Sequence, residues 1–138
     1  MGDWTERFKK TFTSMEEVMA ASLREHLQGY LDSVPGVSIA LVVGRDGFVI
    51  EAAHKGMGID VEAIGAVVST GMGSSEGIGK ELKIGEMYQS MMEYKDGIIV
   101  MSAVGADAIF VIVATPDANI GNIRYQLKKR LPDIAKAI

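Results

Sequence analysis

Two stretches of the chain are apolar at almost every position. Val37–Val43 (VSIALVV) and Ala108–Ala114 (AIFVIVA) are strand-sized and rich in β-branched residues, with no regular polar alternation. Such strands need cover on both faces. Around them the pattern switches period. Met15, Val18, Met19, Leu23, Leu27, Tyr30 and Leu31 recur at helical spacing, opened by the capping box Ser14-Met15-Glu16-Glu17 and stopped by Pro35-Gly36. Gly44-Arg45-Asp46-Gly47 then joins the first apolar run to FVIEA as a hairpin. From Asp60 to about Lys83 the period is again helical, and Val61, Ile64, Val67, Val68, Met72, Ile78 and Leu82 can share a broad apolar stripe.

After Gly85 the segment Glu86–Tyr94 mixes polar and β-compatible residues. Lys95-Asp96-Gly97 turns it into IIVMSAV, and Gly105-Ala106 turns that into the second apolar run. A last helix is expected from Thr115 as cap, with Pro116 in the first helical position and Asp117 near the positive end of the helix dipole. Ile120, Ile123, Leu127 and Leu131 face inward, Arg124, Lys128, Lys129 and Arg130 face outward, and Pro132 is expected to bend or end the helix.

The order α-β-β-α-β-β-β-α, with two strands covered on both faces, predicts an α/β (α+β) fold. It is a three-layer α/β/α sandwich around a five-stranded antiparallel sheet. Val37–Val43 and Ala108–Ala114 belong at its centre. Glu86–Tyr94 reads as an edge strand, and an unprotected edge invites pairing with a second copy. Residues 14–138 form the domain. Residues 1–13 stand apart, with Trp4, Phe8 and Phe12 on one helical stripe beside Arg7, Lys9 and Lys10. This extension either docks on its own domain or serves as an anchor for a partner or a membrane surface.

Composition narrows the function more than the fold. The 138 residues carry a net charge of -4, which argues against a nucleic-acid partner. There is no cysteine, so disulfides, thiolate catalysis and cysteine metal sites are excluded. No apolar run is long enough to span a membrane, and the N-terminus has neither a signal peptide nor a myristoylation signal, since Glu6 stands where a serine or threonine is needed. A cytoplasmic location is expected, with no membrane partner. His26 and His54 are not at ligand spacing, Ser38 has no histidine partner, and Asp46 and Asp96 belong to Asp-Gly turns. No catalytic constellation, metal site or cofactor site is expected.

One stretch imitates a phosphate loop. Gly71–Glu81 reads GMGSSEGIGKE, but Ser74 stands where a Walker A motif needs its first glycine, and Glu81 where it needs a hydroxyl. A dinucleotide fingerprint fails too, because the third glycine comes one residue late and no strand leads into it. Two readings remain. Gly65, Ser69, Gly73 and Gly77 are four apart and could line a stripe where another helix approaches closely. Alternatively, Gly71–Gly79 frays into a loop, since each interior glycine weakens a helix by roughly 1 kcal/mol relative to alanine.

Taken in order, PGVSIALVVGRDGFVIEA, the glycine-rich second helix, EMYQSMMEYKDGIIVMSAVGADAIFVIVA and TPDANIGNIRYQLKK resemble the Roadblock/LC7 family, most closely its prokaryotic MglB-like members. The resemblance spans about residues 14–131, and its most specific parts are Gly-Val before the first strand, Arg-Asp-Gly in the hairpin and Ala118-Asn119-Ile120-Gly121. It implies a profilin-like sandwich that homodimerises, with third strands pairing into one sheet and second helices side by side. Contact would then fall on Gly65, Ser69, Gly73 and Gly77 of the helix, and on Met87, Gln89, Met91 and Glu93 of the edge strand.

The resemblance further implies a regulator or adaptor of a small Ras-like GTPase, GTPase-activating in MglB-type members, and not an enzyme on its own. Such members act by holding the GTPase's switch segments and do not insert an arginine. Met72 and Glu76, on the side of the second helix expected to be exposed, are the candidate partner contacts. Arg45 is the one arginine that a finger mechanism could use, or else a solvated turn residue. The alternative within the same fold is a scaffold or sensory module that activates no GTPase.

Overall fold

A computed structural model describes residue 15, residues 22–56 and residues 58–138. The extension 1–13 and the capping-box residues Ser14, Glu16 and Glu17 lie outside the described residues. Helix α1 covers residues 22–33. It is followed by β1 (Val37–Gly44), β2 (Val49–His54), α2 (Val61–Glu81), β3 (Ser90–Tyr94), β4 (Gly97–Val104), β5 (Ala108–Ala114) and α3 (Ile120–Ala137). The five strands form one sheet in the order β2-β1-β5-β4-β3, and every neighbouring pair is antiparallel.

The two apolar runs are neighbours in this sheet. β5 is central and β1 lies beside it, and only Ser38 and Val113 in these strands escape full burial. Ser38 avoids a polar penalty by donating its hydroxyl to the Val113 carbonyl at 3.2 Å. Side chains alternate between two cores. On one face, Leu23, Leu27, Tyr30 and Leu31 of α1 and Ile123, Leu127 and Ile134 of α3 pack on Ala40, Val42, Val100, Phe110 and Ile112. Tyr30 joins the layers there. Its ring meets Phe110 edge-on at 5.6 Å, and its hydroxyl donates to the Ile123 carbonyl at 2.5 Å. Burial raises the pKa of that hydroxyl well above the usual phenol value.

The opposite face is less completely covered. Val68 and Met72 of α2 pack over Ile39, Leu41, Val43, Met101, Ile109 and Val111, but α2 lies chiefly over β1 and β2. Met92, Ile99, Ala103 and Val113, on the β5-β4-β3 side, stay half-buried. The three layers are therefore present, with two helices on one face and one on the other among the described residues.

Several boundaries differ from those read in the sequence. α3 begins at Ile120, not after Thr115, and its cap is Asn119, whose side chain accepts from the Asn122 amide at 2.9 Å. The Thr115 amide is already bonded to the Gly36 carbonyl at 2.8 Å, and Ala118 closes a turn onto the Thr115 carbonyl, so this segment is held as a loop. Pro132 does not end α3, because Ile134 and Ala137 beyond it are buried and hold the last turn in place. β3 is shorter than Glu86–Tyr94, and His54 closes β2 opposite Ile39.

Candidate interaction surface

α2 is continuous through the whole GMGSSEGIGKE stretch. Asp60 caps its start, accepting from the amides of Glu62 (3.2 Å) and Ala63 (3.3 Å). Its end is a Schellman motif: the Ile84 amide reaches the Gly79 carbonyl at 3.0 Å, and the Lys83 amide reaches that of Lys80 at 3.2 Å. Lys83 occupies the left-handed position that glycine usually fills, with φ 55°. The frayed-loop reading is thus overturned, and the phosphate-loop reading fails with it, since these residues are inside or ending a helix.

The small-residue stripe is not one surface. At 3.6 residues per turn, each step of four residues rotates about 40° around the axis. Gly65 consequently faces the sheet and Gly77 faces away from it. A Cβ on Gly65 would lie 2.6 Å from the Gly47 carbonyl oxygen and 3.1 Å from Val49 Cγ2. Gly65 is needed within the chain, where the hairpin turn presses on α2, and its assignment to a dimer contact is corrected. Ser69 lies on the flank beside that turn. A Cβ on Gly71, Gly73 or Gly77 would meet nothing within 4 Å.

The same rotation splits the apolar stripe. Val68 and Met72 face the core, while Val67 and Ile78 are 73% and 62% exposed, and Leu82 just past the helix is 64% exposed. Met72, proposed from the sequence as a partner contact, is fully buried and cannot touch a partner. Val67 and Ile78 are the exposed apolar side chains that sequence reasoning placed inward. Counting 100° per residue from Met72 would have separated them.

Arg45 and Glu76, singled out separately, meet. The guanidinium in the β1–β2 turn donates Nη1 to Glu76 Oε1 at 2.5 Å and Nη2 to Oε2 at 3.0 Å, with each side chain about one-third exposed. The paired hydrogen bonds hold the Glu76 carboxyl below its usual pKa and raise that of Arg45. The Arg45 amide also donates to the Asp107 carbonyl at 2.9 Å, tying this turn to the β4–β5 turn. Arg45 is therefore not a free solvated side chain.

The edge row is also revised. Met87 and Gln89 precede β3, whereas Met91 and Glu93 belong to it. Met87 and Met92 both pack against the core on the α2 side of the sheet, so strict alternation fails between them, and Gln89 accepts from Arg124 Nε of α3 at 3.1 Å. The outer edge of β3 has no strand beside it among the described residues. An open groove of about 1490 Å³ surrounds the α2–β3 connection, between the end of α2, the β4–β5 turn and α3. Among the described residues no cluster of acidic or histidine side chains could hold a metal, and no helix is long and apolar enough to cross a membrane.

This arrangement defines a class of fold, an α/β/α sandwich with strand order 2-1-5-4-3, β2 and β3 at the two sheet edges, and one glycine-rich helix on its less covered face. The chain belongs to the Roadblock/LC7 family, whose domain model matches residues 23–114. Among curated proteins it is similar to an uncharacterized protein of Methanocaldococcus jannaschii, 33% identical over 108 residues covering 78% of this chain and 92% of that one. Among solved structures it is similar to Myxococcus xanthus MglB, with TM-score 0.78, 16% identity, and coverage of 85% of this chain and 87% of that chain. A Roadblock/LC7 domain from Streptomyces avermitilis superposes with TM-score 0.74 at 17% identity, covering 82% of this chain and 94% of its own. At these identities the two structures establish the shared fold.

Proposed function

We propose that the chain is a homodimeric platform for a Ras-like small GTPase, built by joining two β3 edges and setting two α2 helices side by side. The observation that carries this reading is the outward side of α2. Gly71, Gly73 and Gly77 face open space, so nothing in their own chain requires glycine. Each weakens the helix by roughly 1 kcal/mol relative to alanine. Val67 and Ile78 stand exposed beside Gly71, within about 40° of it around the axis, and that side chain-poor, apolar flank suits close approach by another helix, while Gly73 and Gly77 lie toward the other flank. The half-buried Met92, Ile99 and Val113 and the open β3 edge lie on the side such a helix would cover. The likeness to MglB in fold supports the choice of a GTPase as further partner.

The Arg45–Glu76 pair favours one mode of action over another. Hydrolysis of GTP is accelerated by positioning water and stabilising charge on the transferred phosphoryl group. Arg45 acting as an arginine finger would first have to give up two hydrogen bonds to Glu76. Holding the partner's switch segments, or scaffolding it without activation, requires no such break. The test is to mix the protein with Ras-like GTPases of the same genome and measure binding and GTP turnover. Binding with faster turnover supports a platform that activates, binding with unchanged turnover supports a scaffold, and no binding to any of them refutes both. Light scattering of Gly73→Glu and Ser90→Pro tests the dimer separately, and dimers persisting in both variants would place the interface elsewhere.

A further inference from the structure

Charge is segregated along this chain. α3 holds Arg124, Lys128, Lys129, Arg130 and Lys136 against Asp133, a net +4. The whole chain carries -4, so the remainder carries -8. Two of the α3 cations, Arg124 and Lys128, line the open groove, and Lys80 and Lys83 line it from the end of α2. None of these four is in a salt bridge among the described residues. The groove's two carboxylates are Glu76, already neutralised by Arg45, and Glu86. The cations are interleaved with apolar groups: the half-buried Met87 and Leu131 line the groove, and Tyr88 beside them is 83% exposed.

We propose that this groove binds an acidic peptide segment of a partner protein, with apolar side chains between its carboxylates. The proposal does not depend on the GTPase reading. The cations come from separate elements along an open groove, which suits an extended chain better than a compact anion such as phosphate. Arg124 supplies a planar fork for carboxylates, and three lysines supply mobile point charges. The net charge of -4 repels a large polyanion, such as a membrane surface or a long nucleic acid, that would extend past the groove. A short acidic segment confined to the groove avoids that repulsion. The Lys83 backbone, held left-handed by the Schellman turn, fixes where that side chain leaves the helix end.

The experiment is selection of a random-peptide display library on the full chain, followed by fluorescence anisotropy of the enriched peptides. Enriched sequences should be rich in Asp and Glu interleaved with Leu, Phe or Tyr, and their binding should weaken as salt rises. Two charge reversals on opposite walls, Arg124→Glu with Lys128→Glu and Lys80→Glu with Lys83→Glu, should each cost about tenfold or more in affinity. All four residues are exposed, so both variants should keep the parent's circular dichroism and unfolding midpoint. If one fails to fold, the other carries the comparison. No enrichment, enrichment of neutral or basic sequences, or equal binding of acidic peptides by both folded variants overturns the proposal. Tighter binding to phosphatidylserine vesicles or to single-stranded RNA than to any selected peptide overturns it as well.

Discussion

The same substitution at two glycines of α2 should have opposite effects. At Gly73 an added Cβ meets nothing within 4 Å, so Gly73→Ala should stabilise the protomer by roughly 0.5–1 kcal/mol through helix propensity. At Gly65 the Cβ would come within 2.6 Å of the Gly47 carbonyl and 3.1 Å of Val49 Cγ2. Backbone cannot rotate away as a flexible side chain can, so α2 must lift from the hairpin turn. Overpacking of this kind costs roughly 1–3 kcal/mol and outweighs the propensity gain. Gly65→Ala should therefore destabilise by about 1–2 kcal/mol net. Urea unfolding monitored by circular dichroism measures both, across a range of protein concentrations. If Gly73 faces a partner helix, the gain of its alanine variant should appear only in dilute protein, and sedimentation should show weaker association. A neutral or stabilising Gly65→Ala would refute the close approach at Gly47. A Gly73→Ala variant that is stabilised at every concentration, with unchanged association, would remove Gly73 from the interface.

Met72→Ala should lose about 2–4 kcal/mol in urea unfolding, because the side chain is fully buried under α2, so loss of partner binding in that variant would accompany loss of fold. Tyr30→Phe should cost about 0.5–1.5 kcal/mol in the same assay, since the α1–α3 hydrogen bond goes while the ring packing stays. Lys83→Gly should add roughly 1 kcal/mol by relieving the left-handed backbone, read as a higher thermal midpoint. Glu76→Gln should cost about 0.5–1 kcal/mol near neutral pH, a small figure because the Arg45 pair is partly exposed. The folded pKa of Glu76 is depressed, so its contribution is fully present above the unfolded value of about 4.3 and is lost as pH falls through the folded one. Unfolding measured across that acid range should show parent and variant converging. A gap that stayed constant would show that the charge pair is not its source.

The layers of the fold were legible because burial on both faces appears in sequence as unbroken hydrophobicity. β1 and β5 carry that signal and lie side by side in the sheet. The start of α3 was not legible. Thr115-Pro116-Asp117 has good local start chemistry, but the Thr115 amide is taken by Gly36, a partner remote in sequence. Helical periodicity identified α2 yet blurred its faces, since a spacing of four drifts about 40° per step and carries Gly65 inward while Gly77 turns out. The Arg45–Glu76 pair spans 31 residues, and period alone says nothing about which turn of a helix sits beside which loop. Chemistry singled out both residues, but only the packed hairpin brought them together.

The two faces of the sheet are unequal in a way that bears on both proposals. One face is sealed by α1 and α3, whereas α2 covers chiefly β1 and β2 of the other and leaves Ile99 and Val113 half-buried. A single α2 cannot seal that face without abandoning the hairpin turn against which Gly65 is fitted. Widening the cover therefore calls for a second helix, and Gly71, beside the exposed Val67 and Ile78, leaves room for one to approach. The basic groove begins at Glu76, takes in Gly79, Lys80 and Lys83 at the end of α2, and continues to α3 on the sealed side. Gly73 lies outside its lining. A dimer confined to the middle of α2 and to β3 itself would leave the groove at each protomer's helix end open, and the two variant sets should then separate. Gly73→Glu should abolish dimers while retaining acidic-peptide binding, and Arg124→Glu with Lys128→Glu should do the reverse. Loss of both properties in either variant would show that dimer and groove form one surface.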